Sequence, residues 1–94
     1  MTTANLLDVT DKFTNEVICK VSLGAASDVD RAIRLAEAAL PVMQKMPAFT
    51  RKKILNYCVD AFRTRFEAFA YALCREAGKP IKDARGEVTR LIDT

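Results

Sequence analysis

The stretch Glu76-Ala77-Gly78-Lys79-Pro80-Ile81-Lys82-Asp83-Ala84-Arg85-Gly86-Glu87-Val88-Thr89-Arg90-Leu91-Ile92-Asp93-Thr94 stops one helix and starts another within a few residues. Gly78 can take the left-handed conformation that closes a helix, and Pro80 enters the next with its φ already set and no amide hydrogen to satisfy. Ile81, Ala84, Val88, Leu91 and Ile92 then recur at three- and four-residue steps, the mark of a helix with one apolar face. No stop signal follows that face before Thr94, so the helix is expected to belong to a longer polypeptide.

The same period runs backwards from Gly78. Ile54, Leu55, Cys58, Ala61, Phe62, Phe66, Phe69, Ala70, Leu73 and Ala77 draw a stripe with no glycine or proline inside it, and Pro47 is placed to open it. Thr64-Arg65-Phe66-Glu67 has the spacing of a capping box, in which each side chain satisfies the other residue's backbone amide. That spacing predicts a break near Thr64 and helices over about 48–63, 65–77 and 80–94. Ahead of them, Val29, Ala32, Ile33, Ala36, Ala39 and Leu40 mark another helix, over about 27–40. Its expected cap is the Ser27 hydroxyl, with Asp28 and Asp30 favoured in the first turn by the helix dipole. Pro41 is expected to end or kink it, since proline lacks the amide hydrogen and crowds the carbonyl four residues back.

Before Gly24-Ala25-Ala26 the period changes to two. Val17, Cys19, Val21 and Leu23 alternate with Ile18, Lys20 and Ser22, and a shorter apolar piece surrounds Leu6, Leu7 and Val9. Between them, Asn15 can take the positive φ that a tight turn requires. A β-hairpin over about 6–23 is predicted, and its apolar side needs something to rest on, because an isolated hairpin is barely stable in water. The fold class is therefore mostly α with an N-terminal β-hairpin.

Composition agrees with a packing module: of 94 residues, 50% are hydrophobic and 29% charged, too apolar for a disordered chain. A chain this short buries only roughly 60–65 per cent of its unfolded surface, so a partner or further sequence is expected to complete the core. No apolar run approaches the ~20 residues that span a bilayer, and Met1-Thr2-Thr3-Ala4-Asn5 has no basic region before an apolar core. A cytoplasmic protein with no membrane contact is expected. The net charge of +3 is unevenly spread: residues 1–50 hold five Lys/Arg against six Asp/Glu, residues 51–94 ten against six. Arg51-Lys52-Lys53 is the only basic cluster, and it reads as a solvated helix face; nucleic-acid binding uses many spread cationic contacts and is not expected.

The residues for catalysis are scarce. There is no histidine among the 94 residues, which removes the commonest acid, base and metal ligand near neutral pH. Cys19, Cys58 and Cys74 are too far apart in sequence to suggest a zinc set, and they read as small buried hydrophobes. Gly24, Gly78 and Gly86 are isolated and form neither a dinucleotide fingerprint nor a P-loop. Asp28/Asp30 and Glu87/Asp93 read as helix-start and surface charges, and Gly78-Lys79-Pro80 as a helix hinge in preference to an anion site. No catalytic, cofactor-binding or metal-ligating residue is assigned.

Several blocks, in order, carry a resemblance. Thr14-Asn15-Glu16-Val17-Ile18 resembles a turn-and-strand "T-G-E-V-I", with asparagine where glycine is usual. Ser27-Asp28-Val29-Asp30-Arg31-Ala32-Ile33 is similar to a "D-V-D-x-A-I" helix, and Arg51 with Ile54-Leu55 to an "R-x-x-I-L" opening. With Glu76-Ala77-Gly78-Lys79-Pro80-Ile81 and Gly86-Glu87-Val88, they resemble the amino-terminal segment of the NAD(P)-dependent aldehyde dehydrogenases, from about Val9 to Thr94. Asp11-Lys12-Phe13 replaces the usual "N-P", and Met46-Pro47-Ala48-Phe49 a segment that often holds tryptophan. Those features, with Lys82-Asp83 and Arg90 to Thr94, look more like the branch containing phosphonoacetaldehyde and lactaldehyde dehydrogenases.

The resemblance implies that the chain is a piece of an α/β Rossmann-like cofactor domain. The whole enzyme would oxidise an aldehyde to a carboxylic acid through a cysteine thioester, passing hydride to NAD or NADP. The catalytic residues would come later in the chain, so these 94 residues alone are expected to be inactive and to bind no cofactor. Some family members hold a structural cation near the position of Val9 and Thr10 with a carboxylate from the helix of Glu87; Thr89 stands in that carboxylate's place here. The implied partners are the remainder of the subunit or a second copy, in a homo-oligomer. A freestanding helical interaction module is the alternative.

Overall fold

The computed structural model describes residues 5–94. Strands β1 (Leu6–Thr10) and β2 (Val17–Ser22) are followed by helices α1 (Ala26–Lys45), α2 (Ala48–Thr64), α3 (Phe66–Ala77) and α4 (Ile81–Asp93). The chain is thus mostly helical with an amino-terminal antiparallel hairpin.

In the hairpin, Leu7 pairs with Val21, Asp8 with Lys20 and Val9 with Cys19, while Thr10 pairs with Val17, which leaves Ile18 as an extra residue in a bulge. Asp8 and Lys20 form a cross-strand ion pair at 3.1 Å. The turn is built on Asp11. Its carboxylate accepts the Phe13 amide at 2.8 Å and the Thr14 amide at 3.1 Å, and its carbonyl accepts the Asn15 amide at 2.8 Å. Asn15 has φ 62°, the left-handed value for which asparagine is suited.

Helix α1 departs from the sequence reading at both ends. Ser27 does not cap it; Ala25 is the cap residue, and the Asp28 carboxylate reaches back to the Ala25 amide at 2.8 Å. The carboxylate in the first turn does the work assigned to the hydroxyl, and Ser27 is already helical. Pro41 does not end the helix, which continues to Lys45. One missing amide hydrogen costs a helix only locally, and an end further on is supported by Arg51, whose guanidinium donates to the Met43 and Met46 carbonyls.

The long stripe breaks at Arg65, but not through a capping box. The Thr64 hydroxyl donates to the Asp60 carbonyl at 2.9 Å, and Glu67 pairs with Arg85 of α4, so neither side chain is free to cap. Gly78 closes α3 in the left-handed region, φ 71° and ψ 21°, with its amide on the Cys74 carbonyl. Pro80 stands just outside α4 as its cap residue, and Ile81 is the first helical position.

The core lies between α3 and α4, where Ala70, Ala84 and Val88 are fully buried and Phe66, Phe69, Leu73 and Ile92 pack around them. Phe62 of α2 meets Phe69 edge-to-face at 5.4 Å between ring centres, the arrangement aromatic quadrupoles favour. Nothing comparable covers the rest. Every residue of α1 is exposed, including Val29, Ile33, Leu35 and Leu40, each more than half accessible. The radius of gyration is 17.5 Å, against roughly 12 Å for a compact chain of this length. With extents of 47 × 37 × 16 Å the described residues form a slab with open faces.

Candidate functional site

The most constructed part of the molecule is where the hairpin tip meets the end of α3. The Lys12 amide donates to the Arg75 carbonyl at 3.0 Å, filling one of the acceptors that the last turn of a helix leaves open. The Asp11 carboxylate meets the Arg75 Nε at 3.2 Å, with the Asp11 side chain 14% accessible. Below them, Gly78 passes so close to Lys12 that a Cβ on residue 78 would lie 3.1 Å from the Lys12 Cβ. Two segments over sixty positions apart are therefore fitted to each other by an amide, an ion pair and a missing side chain. The Thr14 and Phe13 amides, helped by Arg75, hold the Asp11 carboxyl below its ordinary 3.8, while partial burial acts in the opposite sense. Lys12, Phe13, Cys74, Lys79 and Pro80 line an open cavity of about 650 Å³ at this joint.

The other chemistry-bearing residues are dispersed. Cys19, read as buried, is exposed, because the hairpin face that carries it is uncovered; Cys58 and Cys74 are half-buried. Asp28 is committed to the start of α1, and Glu87 pairs with Lys79. Thr89, placed by the resemblance where a cation-binding carboxylate is often found, donates its hydroxyl to the Arg85 carbonyl at 3.1 Å. Among the described residues no cluster of three acidic or cysteine side chains is arranged to hold a metal ion. Arg51 turns to the α1–α2 corner, while Lys52 and Lys53 lie on an outer face of α2 with Phe49, Asn56 and Tyr57. No helix of the described residues is long and apolar enough to cross a membrane.

Asp11 and Arg75 were not legible as partners. An aspartate ahead of a turn is a local signal for side-chain-to-backbone bonding, but nothing in the sequence announces that the same carboxylate meets an arginine 64 positions later.

This arrangement has close counterparts. The aldehyde dehydrogenase family matches this sequence over residues 1–94. The chain is 33% identical over 93 residues to a 3-sulfolactaldehyde dehydrogenase of Priestia aryabhattai, covering 99% of this chain and 19% of that protein. It is 37% identical over 82 residues to a 2-aminomuconic semialdehyde dehydrogenase of Danio rerio, covering 87% of this chain and 17% of that one. Among solved structures, aldehyde dehydrogenase 21 from Physcomitrella patens, in complex with its reaction product succinate, superposes with a TM-score of 0.93 at 49% identity, over 99% of this chain and 19% of that one. The glyceraldehyde-3-phosphate dehydrogenase GapN of Methanocaldococcus jannaschii, complexed with NADP, gives 0.90 at 33% identity, over 99% and 20%. The chain spans about a fifth of the length of the relatives it matches. With the family matched over residues 1–94 and the hairpin and helices superposing along nearly the whole of this chain, it belongs to the aldehyde dehydrogenase family, as an amino-terminal segment.

Proposed function

We propose that this segment serves in an NAD(P)-dependent aldehyde dehydrogenase, as the first part of its cofactor-binding domain, and that its task there is to supply packing surface. The observation that carries the reading is that helix α1 and the hairpin expose their apolar faces in a chain that matches about a fifth of each relative. Such faces are stable when something covers them. The remainder of a subunit is the natural cover, and homo-oligomer contacts can add to it.

In that enzyme a cysteine thiolate outside these 94 residues attacks the aldehyde carbonyl, hydride passes to the nicotinamide, and water releases the acid from the thioester. NAD or NADP would supply the hydride acceptor when bound; the NADP complex of GapN from Methanocaldococcus jannaschii is consistent with nicotinamide-nucleotide use in the family. Cys19, Cys58 and Cys74 match no catalytic cysteine motif, so none is given the nucleophile's role.

The test compares the product of the natural reading frame with the isolated 94-residue chain, following aldehyde-dependent nicotinamide reduction and acyl-cysteine trapping. The intact product is expected to turn over and to trap one acyl group outside this segment. Turnover by the isolated chain, or an intact product with no aldehyde-dependent reduction, would overturn the reading.

A further inference from the structure

Helix α4 runs back along α3 and then reaches α2. Arg85 meets Glu67 near the start of α3, Ala84 and Val88 pack with Ala70, and Leu91 and Ile92 go on to border α2. There the two helices frame an apolar groove of about 450 Å³, with Leu55, Cys58 and Phe62 on one wall, Leu91 and Ile92 on the other, and Thr94 on the rim. Leu55 is 63% accessible and Leu91 47%, so the face that α4 begins to cover stays open. Leu55 also walls a second cavity of about 180 Å³, with Met43, Met46 and Ile54 at the α1–α2 corner. Through Leu55 the open apolar strip continues along α2 towards its amino-terminal end.

We propose that this strip is the seat of the residues that follow Thr94 in the intact subunit, which enter it as an uninterrupted continuation of α4. Because α4 passes α3 and then α2 in the reverse of their chain order, a helix going on from Thr94 is carried along α2 towards Ile54. From Leu55 back to Ala48, the first residue of α2, is about 10 Å of helix, which roughly two further turns of α4 span. The apolar stripe of α4 has the phase for it. Carried on by about two turns from Val88, Leu91 and Ile92, it puts apolar side chains at about the first, fourth and fifth positions after Thr94. The first meets Leu55, and the later ones reach the cavity between Met43 and Met46. A segment tethered at the rim of the groove also competes for it at an effective concentration that a second copy or a separate partner does not reach. The chain covers 19% of its Priestia aryabhattai relative, which leaves ample sequence to fill the strip. This seating rests on the reading of the chain as part of a longer subunit, and on nothing about the reaction that the subunit performs.

Photo-cross-linking of the intact natural-frame protein tests it. Leu55 is replaced by p-benzoylphenylalanine, isotope-labelled and unlabelled chains are mixed, and the captured peptide is identified by mass spectrometry. The expected capture is the peptide directly after Thr94, from the same chain, with no such capture when the probe replaces Lys53 on the outer face of α2. Hydrogen exchange of the unsubstituted protein gives a second readout that no folding failure can obscure: the amides just after Thr94 are expected to exchange as slowly as those of Leu91 and Ile92. Capture of another segment, a cross-link between labelled and unlabelled chains, no capture from Leu55, or fast exchange directly after Thr94 each overturns the seating. An intact protein that oxidises aldehydes while Leu55 captures a different segment overturns the seating alone and leaves the dehydrogenase reading standing.

Discussion

At the residue scale, Gly78 and Asp11 show how two ordinary side-chain choices fix a long-range contact. Gly78 is constrained twice: its φ of 71° disfavours any side chain, and the Lys12 Cβ blocks the space a side chain would take. Gly78→Ala is expected to destabilise the intact protein by about 2 kcal/mol, the scale of a non-glycine residue forced into a left-handed site, read as a lowered midpoint in chemical denaturation. Asp11 acts through charge. Its carboxyl is held below the ordinary 3.8 in the folded state, so the folded form keeps the ionised group more firmly than the unfolded chain does. The stabilisation is fully present above the unfolded value and is lost as the pH falls through the lower folded one. Acid unfolding of the intact protein should therefore have a component below about pH 4 that Asp11→Asn removes: the variant is less stable than the parent at neutral pH, and the two converge as the pH falls. A variant whose acid limb is unaltered would place the acid sensitivity on other carboxylates.

At the scale of elements, the legible features were those decided by local chemistry. Gly78 as a stop, Asn15 as the positive-φ turn residue and the apolar stripe of α3 and α4 follow from conformational freedom and period, and each lies within a few residues of its cause. The misread features were decided by groups elsewhere. Pro41 is a strong local breaker, yet α1 runs on to Lys45, where Arg51 of the next helix meets its last carbonyls. Thr64 and Glu67 have capping-box spacing, but Arg85 on α4 takes the glutamate, and no windowed pattern contains that partner. Cys19 has the alternation of a buried strand residue and is exposed because nothing among the described residues covers that face of the hairpin. The packing that does exist is correspondingly local to α3 and α4. Val88, 1% accessible, sits at its centre, and Val88→Ala should cost about 2 kcal/mol through lost burial and the cavity left behind. Arg85→Gln, which breaks an exposed pair with Glu67, should lower the midpoint of the same denaturation measurement far less than Val88→Ala does.

At the scale of the whole molecule, the question is which faces are surfaces. Among the described residues, three fully buried side chains are too few to offset the ordering of the chain, and the flat, extended outline leaves α1 and most of the hairpin exposed. The isolated chain should accordingly be loosely packed or associate with itself, seen as dye-detected apolar surface and a melt that shifts with concentration. The face of α1 allows a sharper comparison. Ile33 lies on the apolar stripe of α1 yet is 54% accessible, so within the isolated chain Ile33→Ala removes little burial and should change stability by less than about 0.5 kcal/mol. If the remainder of a dehydrogenase subunit covers that stripe, the same substitution in the intact protein deletes buried methyl groups and should cost about 2–4 kcal/mol. The same side chain thus reports its cover by the difference between two measurements. A small effect in both would mean that α1 faces solvent in the complete enzyme, and the role proposed for it as packing surface would fall.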